Sequence, residues 1–204
     1  QRSLREIKLR RNVMSRHYFP FTYYNTFTFE HTVYWMKYYI SLTLILLTLV
    51  VRGQLLTDSI LVEGNYRVFH FNKPADGLRS SLLFVMHGSG GSGLRIMKET
   101  GKLEAIAAKE KLLIVYPDGY KRFWNECRRS SNALANTENV NENDFFQQMI
   151  SYFNKNYRID EKKVFAAGVS GGGHMAYKLG LTMPGKIRAI TAFIANLPDS
   201  AWSY

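Results

Sequence analysis

The sequence predicts an α/β protein, a mostly parallel sheet with helices on both faces. Three observations lead there. The runs at residues 81–86, 112–116 and 164–167 are continuously apolar, as in strands buried on both faces. The stretches between them carry apolar residues at helical spacing. Strands that alternate with helices must run parallel and be joined by crossovers that cover the sheet.

Each element has its own signal. Residues 60–63 and 66–71 read as short strands around Gly64-Asn65, a hairpin. Residues 73–77, with Pro74 and Gly77, form a loop. After the strand at 81–86, His87 through Gly93 is a glycine-rich loop. Residues 94–111 read as one helix with the stripe Ile96, Met97, Leu103, Ile106 and Ala107. The strand at 112–116 stops at Pro117-Asp118-Gly119, and a polar loop runs to about Asn143. Residues 145–157 form an amphipathic helix. The strand at 164–167 leads into a helix at 171–183 that Pro184-Gly185 ends, and residues 187–195 form a last strand. There is no internal repeat.

At 204 residues the chain suits one domain with appendages. The net charge of +11 invites a nucleic-acid reading. Its distribution argues against one, because residues 1–37 hold seven Lys/Arg and two Asp/Glu and the remaining charge is dispersed. A solvated basic surface and no nucleic-acid partner are expected. Cys127 is the single cysteine, a lone thiol in a loop. No Cys/His/Asp cluster has metal-ligand spacing, so neither a metal nor a cofactor is expected.

Residues 1–35 are basic and aromatic without clear periodicity and lie outside the expected fold. Residues 38–51 are an apolar run broken only by Ser and Thr, with Lys37 before it and Arg52 after it. At 14 residues it is short for a span of about 20. It suits the apolar part of a secretory signal over residues 36–53, with Met36 as the start and cleavage before Gln54. The alternative is a retained membrane anchor. The folded domain is expected over residues 54–204, in a secreted or periplasmic protein.

The chemistry centres on Gly168-Val169-Ser170-Gly171-Gly172. G-x-S-x-G between a strand and a helix is the layout of a nucleophile elbow, a turn so tight that a Cβ two residues to either side of the serine would clash. Upstream, residues 88–93 also match G-x-G-x-x-G, with Asp118 25 residues beyond Gly93, which is a dinucleotide fingerprint. The same loop read as His87-Gly88-x-x-Gly91 matches an oxyanion loop. A phosphate-loop reading fails because no Lys-Ser/Thr pair follows. The oxyanion reading is preferred because the elbow follows it in the right order. It nominates Ser170 as nucleophile and the amides of Gly171 and Ser89 as oxyanion donors, with Gly90 as alternative to Ser89. His87, Gly88, Gly90 and Trp124 are candidate substrate contacts. One such donor is worth about 2.7–4 kcal/mol where measured.

A serine also needs a base. After Ser170 come one histidine, His174, and one acid, Asp199. His174 lies four residues into the elbow helix and is expected to pack near the pocket. Asp199 follows the last strand, where an acid is sometimes carried. His70 and His87 precede the serine and are expected to be structural. The simplest expectation is that acid and base lie beyond residue 204, 34 residues after Ser170.

Several segments together resemble a known family: residues 83–91 (LFVMHGSGG), Tyr116-Pro117-Asp118-Gly119, Phe123-Trp124-Asn125, residues 141–145, Tyr157-Arg158-Ile159-Asp160 into the elbow, Met175-Ala176-Tyr177 and Ala195-Asn196-Leu197-Pro198. The set is similar to secreted α/β-hydrolases of the polyhydroxybutyrate depolymerase and feruloyl-esterase type. The resemblance covers about residues 60–200 and implies an α/β-hydrolase-like sheet incomplete at its C-terminus. It implies an exported carboxylic-ester hydrolase without cofactor, Ser170 as nucleophile and residues 87–91 as oxyanion loop. The family's acid and histidine have no counterpart in these residues, so little turnover is expected. Two alternatives stay open. One is a non-catalytic sugar- or polymer-binding module using Tyr120, Phe123 and Trp124, and the other is a peptidase of the same fold.

Overall fold

In the computed structural model, which describes residues 31–42, 54–73, 80–126, 128 and 131–197, the apolar runs become a six-stranded sheet. The strands are β1 (Leu55–Val62), β2 (Asn65–Asn72), β3 (Ser81–Met86), β4 (Leu112–Pro117), β5 (Val164–Val169) and β6 (Ala189–Phe193). Their order is β1-β2-β4-β3-β5-β6. The first two pairings, β1–β2 and β2–β4, are antiparallel. The other three are parallel. This is the mixed, mostly parallel sheet that the alternation predicts.

The hairpin turns one residue earlier than expected. Val62 pairs with Asn65, so the turn is Glu63-Gly64. Both turn residues have positive φ, 47° and 80°, as in the type I′ turn that matches strand twist.

From residue 54 onward the described helices are α1 (Gly93–Glu99), α2 (Lys102–Glu110), α3 (Leu134–Thr137), α4 (Glu142–Tyr157) and α5 (Gly171–Thr182). The single helix expected at 94–111 is therefore two. The Thr100 amide and hydroxyl both donate to the Ile96 carbonyl, at 2.9 and 2.7 Å, which closes α1. Gly101 then costs about 1 kcal/mol of helix propensity. The expected polar loop contains α3, and α4 begins at Glu142, three residues before the predicted start. Asn141 caps it, its side chain accepting from the Asp144 amide at 3.1 Å.

Strand alternation divides the core between two faces. Leu82, Phe84 and Met86 join Phe146, Met149 and Ile150 of α4 and Met175, Ala176 and Leu179 of α5. Phe69 and Phe71 of β2 extend this layer, edge to face with Phe153 at centroid distances of 5.5 and 4.9 Å. Val85, Ile114 and Tyr116 point the other way, onto Ile96 of α1 and Ala107 of α2. The carboxyl ends of β3, β4 and β5 lie together, and each runs into a candidate loop: His87, Asp118-Gly119 and Ser170. Ligands of open α/β sheets bind at this edge.

The chain divides into two units, Gln1–Arg52 and Gly53–Tyr204. In the first, the described residues 31–42 form a largely exposed helix. Among the described residues no helix is long and apolar enough to cross a membrane. Residues 43–53, which hold most of the apolar run, lie outside the described residues, as do the expected loop at 74–77, Cys127 and Asp199.

Candidate active site

Ser170 stands between β5 and α5 with φ 53° and ψ −119°. A serine in that region is strained by about 1–3 kcal/mol, so the surroundings must impose the turn. Its amide donates to the Phe193 carbonyl at the end of β6, at 2.9 Å, and its carbonyl accepts from the His174 amide at 3.0 Å. The flanking glycines make the turn possible. A Cβ on Gly168 would lie 2.1 Å from the Gly172 carbonyl oxygen, and one on Gly172 would lie 2.3 Å from that of Met86. Ser170 itself is exposed.

The loop after β3 lies against this turn. A Cβ on Gly171 would fall 2.5 Å from Ser89 Oγ and 3.2 Å from the Ser89 amide nitrogen, and one on Gly88 would fall 3.5 Å from Ser170 Cβ. The two nominated donors, Gly171 and Ser89, are thus neighbours beside the serine. The Gly90 amide is occupied, donating to the Arg122 carbonyl at 2.9 Å. That removes the alternative to Ser89.

Arg122 grips the loop from both ends of the residue. Its carbonyl takes the Gly90 amide, and its guanidinium donates to the Gly90 and Gly91 carbonyls. The Gly91 amide closes onto the Gly88 carbonyl at 2.9 Å. Gly88, Gly90 and Gly91 are consumed in shaping the loop, and Ser89 is left at its tip, exposed.

His87 and Trp124, two of the expected substrate contacts, point inward. His87 is 2% exposed and Trp124 1%. The His87 ring stands between two backbone groups: its Nδ1–H donates to the Gly88 carbonyl at 2.7 Å, and Nε2 accepts from the Gly119 amide at 3.0 Å. Burial lowers its pKa, outweighing the Gly88 bond and the Asp118 charge that pull it up. It is a neutral brace between the two loops. Trp124 Nε1 donates to the His87 carbonyl at 2.8 Å. Both side chains are buried against backbone groups, and Trp124 does not lie on the surface expected for a binding module.

Asp118 is committed elsewhere, which removes the dinucleotide reading. Its Oδ1 accepts from the Gly93 amide at 2.5 Å, and Oδ2 accepts from His70 Nε2 at 3.3 Å. Burial raises its pKa, but the His70 and Gly93 bonds outweigh that and leave it lowered. His70 Nδ1 is 2.8 Å from Thr57 Oγ1. His70 is structural, as expected.

No hydrogen bond reaches Ser170 Oγ among the described residues. His174 turns Nδ1 back onto the Ser170 carbonyl at 3.0 Å.

A buried polar group beneath the site escaped the sequence reading. Arg67 donates to Glu142 Oε2 at 2.8 Å, with the side chains 3% and 0% exposed. Glu142 Oε1 accepts from the Asn125 amide at 3.1 Å, and Lys178 Nζ donates to the Asn125 carbonyl at 2.6 Å. The signal existed: Arg67 alternates with Phe69 and Phe71 on β2, which puts it on the core face.

No family model matches the chain. NocK of Nocardia uniformis subsp. tsuyamanensis, a protein assigned as an esterase, is 25% identical over 144 residues, 69% of this chain and 41% of NocK. Two solved structures are similar in fold. FphF, a fluorophosphonate-binding serine hydrolase of Staphylococcus aureus, aligns with TM-score 0.54 and 17% identity over 68% of this chain and 55% of its own. The acetyl xylan esterase of Aspergillus awamori aligns with TM-score 0.56 and 18% identity over 69% of this chain and 51% of its own. The chain therefore spans about two fifths of NocK and a little over half of these structures. The fold is α/β-hydrolase-like.

Proposed function

We propose that the protein is a serine-dependent carboxylic-ester hydrolase. The observation that carries this reading is the strained turn at Ser170 held against the Gly171 and Ser89 amides. Ser170 Oγ attacks the ester carbonyl. Negative charge develops on the carbonyl oxygen, where two fixed N–H dipoles stabilise it without reorganising. The alcohol leaves, Ser170 carries the acyl group, and water releases it. The similarity to an assigned esterase and to serine-hydrolase and esterase folds supports the reading.

The base that takes the Ser170 proton and the carboxylate that orients it are proposed to lie outside the described residues. Without that base Ser170 acylates slowly, because an oxyanion hole alone retains only a small part of the full rate enhancement, about 10³–10⁴ over water in one dissected enzyme. Export of the mature domain from a leader at residues 36–53 belongs to the same proposal, and N-terminal sequencing of secreted protein tests it. The polyester and feruloyl substrates suggested by the sequence resemblance are proposals too.

The test is labelling by a fluorophosphonate followed by peptide mapping. Labelling on Ser170, lost in Ser170→Ala and retained in His174→Ala, is expected. Labelling that persists in Ser170→Ala overturns the assignment, and loss in His174→Ala makes that histidine the base.

A further inference from the structure

A groove of about 430 Å³ opens beside the oxyanion loop. Ser89, whose amide is the proposed oxyanion donor, lines it, together with Lys121, Phe123, Arg128, Ala133 and Leu134. Its volume is in the range of small-molecule sites, which combine apolar walls with a few placed polar groups.

The charge of that lining is one-sided. Lys121 is exposed, and its ammonium stands 5.7 Å from the Tyr120 ring centre. Arg128 donates through Nε to Glu126 Oε1 at 2.6 Å, and its Nη2 pairs with the same carboxylate oxygen while standing 3.5 Å from Ser89 Oγ. The adjoining Arg122 spends its guanidinium on the Gly90 and Gly91 carbonyls and meets no carboxylate among the described residues. Against these three cations stands Glu126, 2% exposed. The other neighbouring carboxylate, Glu138, accepts from the Tyr120 hydroxyl at 2.8 Å and does not line the groove. Among the described residues no acid lines it. Phe123, Ala133 and Leu134 supply the apolar wall.

We propose that this groove selects esters that carry a free carboxylate a few carbons from the scissile carbonyl, such as half-esters of dicarboxylic acids. Lys121 and the outer edge of Arg128 receive the carboxylate, and the apolar wall holds the linker. The proposal rests on the serine-esterase reading of Ser170, because Ser89 joins the groove to the reacting carbonyl.

Two measurements separate the inference from its premise. The first compares acylation of Ser170 by mono-p-nitrophenyl adipate and by p-nitrophenyl hexanoate, read by intact mass. The charged ester is expected to react about fivefold faster at low salt, in keeping with one or two exposed charge contacts. The preference is expected to shrink as salt screens it, and to be lost or reversed in Lys121→Asn and Lys121→Asp. Lys121 has φ 49°, a region that Asn and Asp tolerate, so these variants keep the loop's backbone. Equal rates, or a preference that both variants retain, overturn the proposal. The second follows amide shifts in Ser170→Ala on adding monoethyl adipate or diethyl adipate. Shifts at Lys121, Phe123 and Ala133 with the monoester, weaker with the diester, support the groove whether or not Ser170 reacts. Absence of monoester binding overturns it. Acylation without anion preference leaves the esterase standing and removes the groove, and binding without acylation does the reverse.

Discussion

At Ser170 the backbone conformation and the chemistry are linked. The residue sits at φ 53° and ψ −119°, which glycine adopts freely and serine does not. Ser170→Gly is therefore expected to raise the unfolding free energy by about 1 kcal/mol while abolishing acylation, and paired urea melts and labelling assays check it. A gain in stability with loss of function marks strain held for a purpose. Gly172→Ala runs the other way. Its Cβ would lie 2.3 Å from one carbonyl oxygen and 2.6 Å from another, both backbone atoms with little room to move. A loss of about 3 kcal/mol is expected, and an unchanged denaturation midpoint would mean that the turn is looser than described.

At the scale of elements, the site is three strand ends tied together by buried polar groups. His87 binds the loop after β3 to the loop after β4, and Trp124 holds the His87 carbonyl. The pH dependence follows from the directions of two shifts. The folded pKa of His87 lies below its ordinary value, so below about pH 6.5 the unfolded chain binds the proton first and stability falls as pH drops. The folded pKa of Asp118 is also lowered. Its stabilisation is present above about pH 4 and is lost as pH falls through the folded value. Melting temperature is expected to step down between pH 7 and 5 and again below pH 4. A flat profile from pH 7 to 5 contradicts the bracing role of neutral His87. The pair beneath the site has a larger stake. Glu142→Gln leaves Arg67 buried with one Nη already lacking a partner. The expected cost is about 3–5 kcal/mol, measured by chemical denaturation.

For the whole molecule, what could be read in advance was set by how local each cause is. The parallel sheet, the elbow and the oxyanion loop were legible because apolar runs and glycine spacing are local properties. The break at Thr100-Gly101 was less so, since the helical stripe continues across it while the capping bond that ends α1 depends on side-chain geometry. Glu142 and Arg67 were missed because they lie 75 residues apart and only the fold pairs them. The inward turn of His87 and Trp124 was hidden for the same reason. Among the described residues the sheet also carries an apolar margin at β6, where Phe193 is 59% and the adjoining Ile194 85% exposed. Unpaired apolar edges template association. The 204-residue chain is expected to self-associate with concentration by light scattering, and Ile194→Asn is expected to reduce this. Ile194 has φ 53°, where asparagine is less strained than a β-branched residue. Monodisperse wild-type chain at high concentration would count against the exposed edge.

The central claim is that Ser170 is the nucleophile of an acyl-transfer site. Mass spectrometry of the chain after incubation with p-nitrophenyl acetate tests it most directly. One acetyl group on the peptide that contains Ser170, formed slowly and absent from Ser170→Ala, is the predicted result. An unmodified Ser170, or acetylation that survives Ser170→Ala at the same rate, would contradict it.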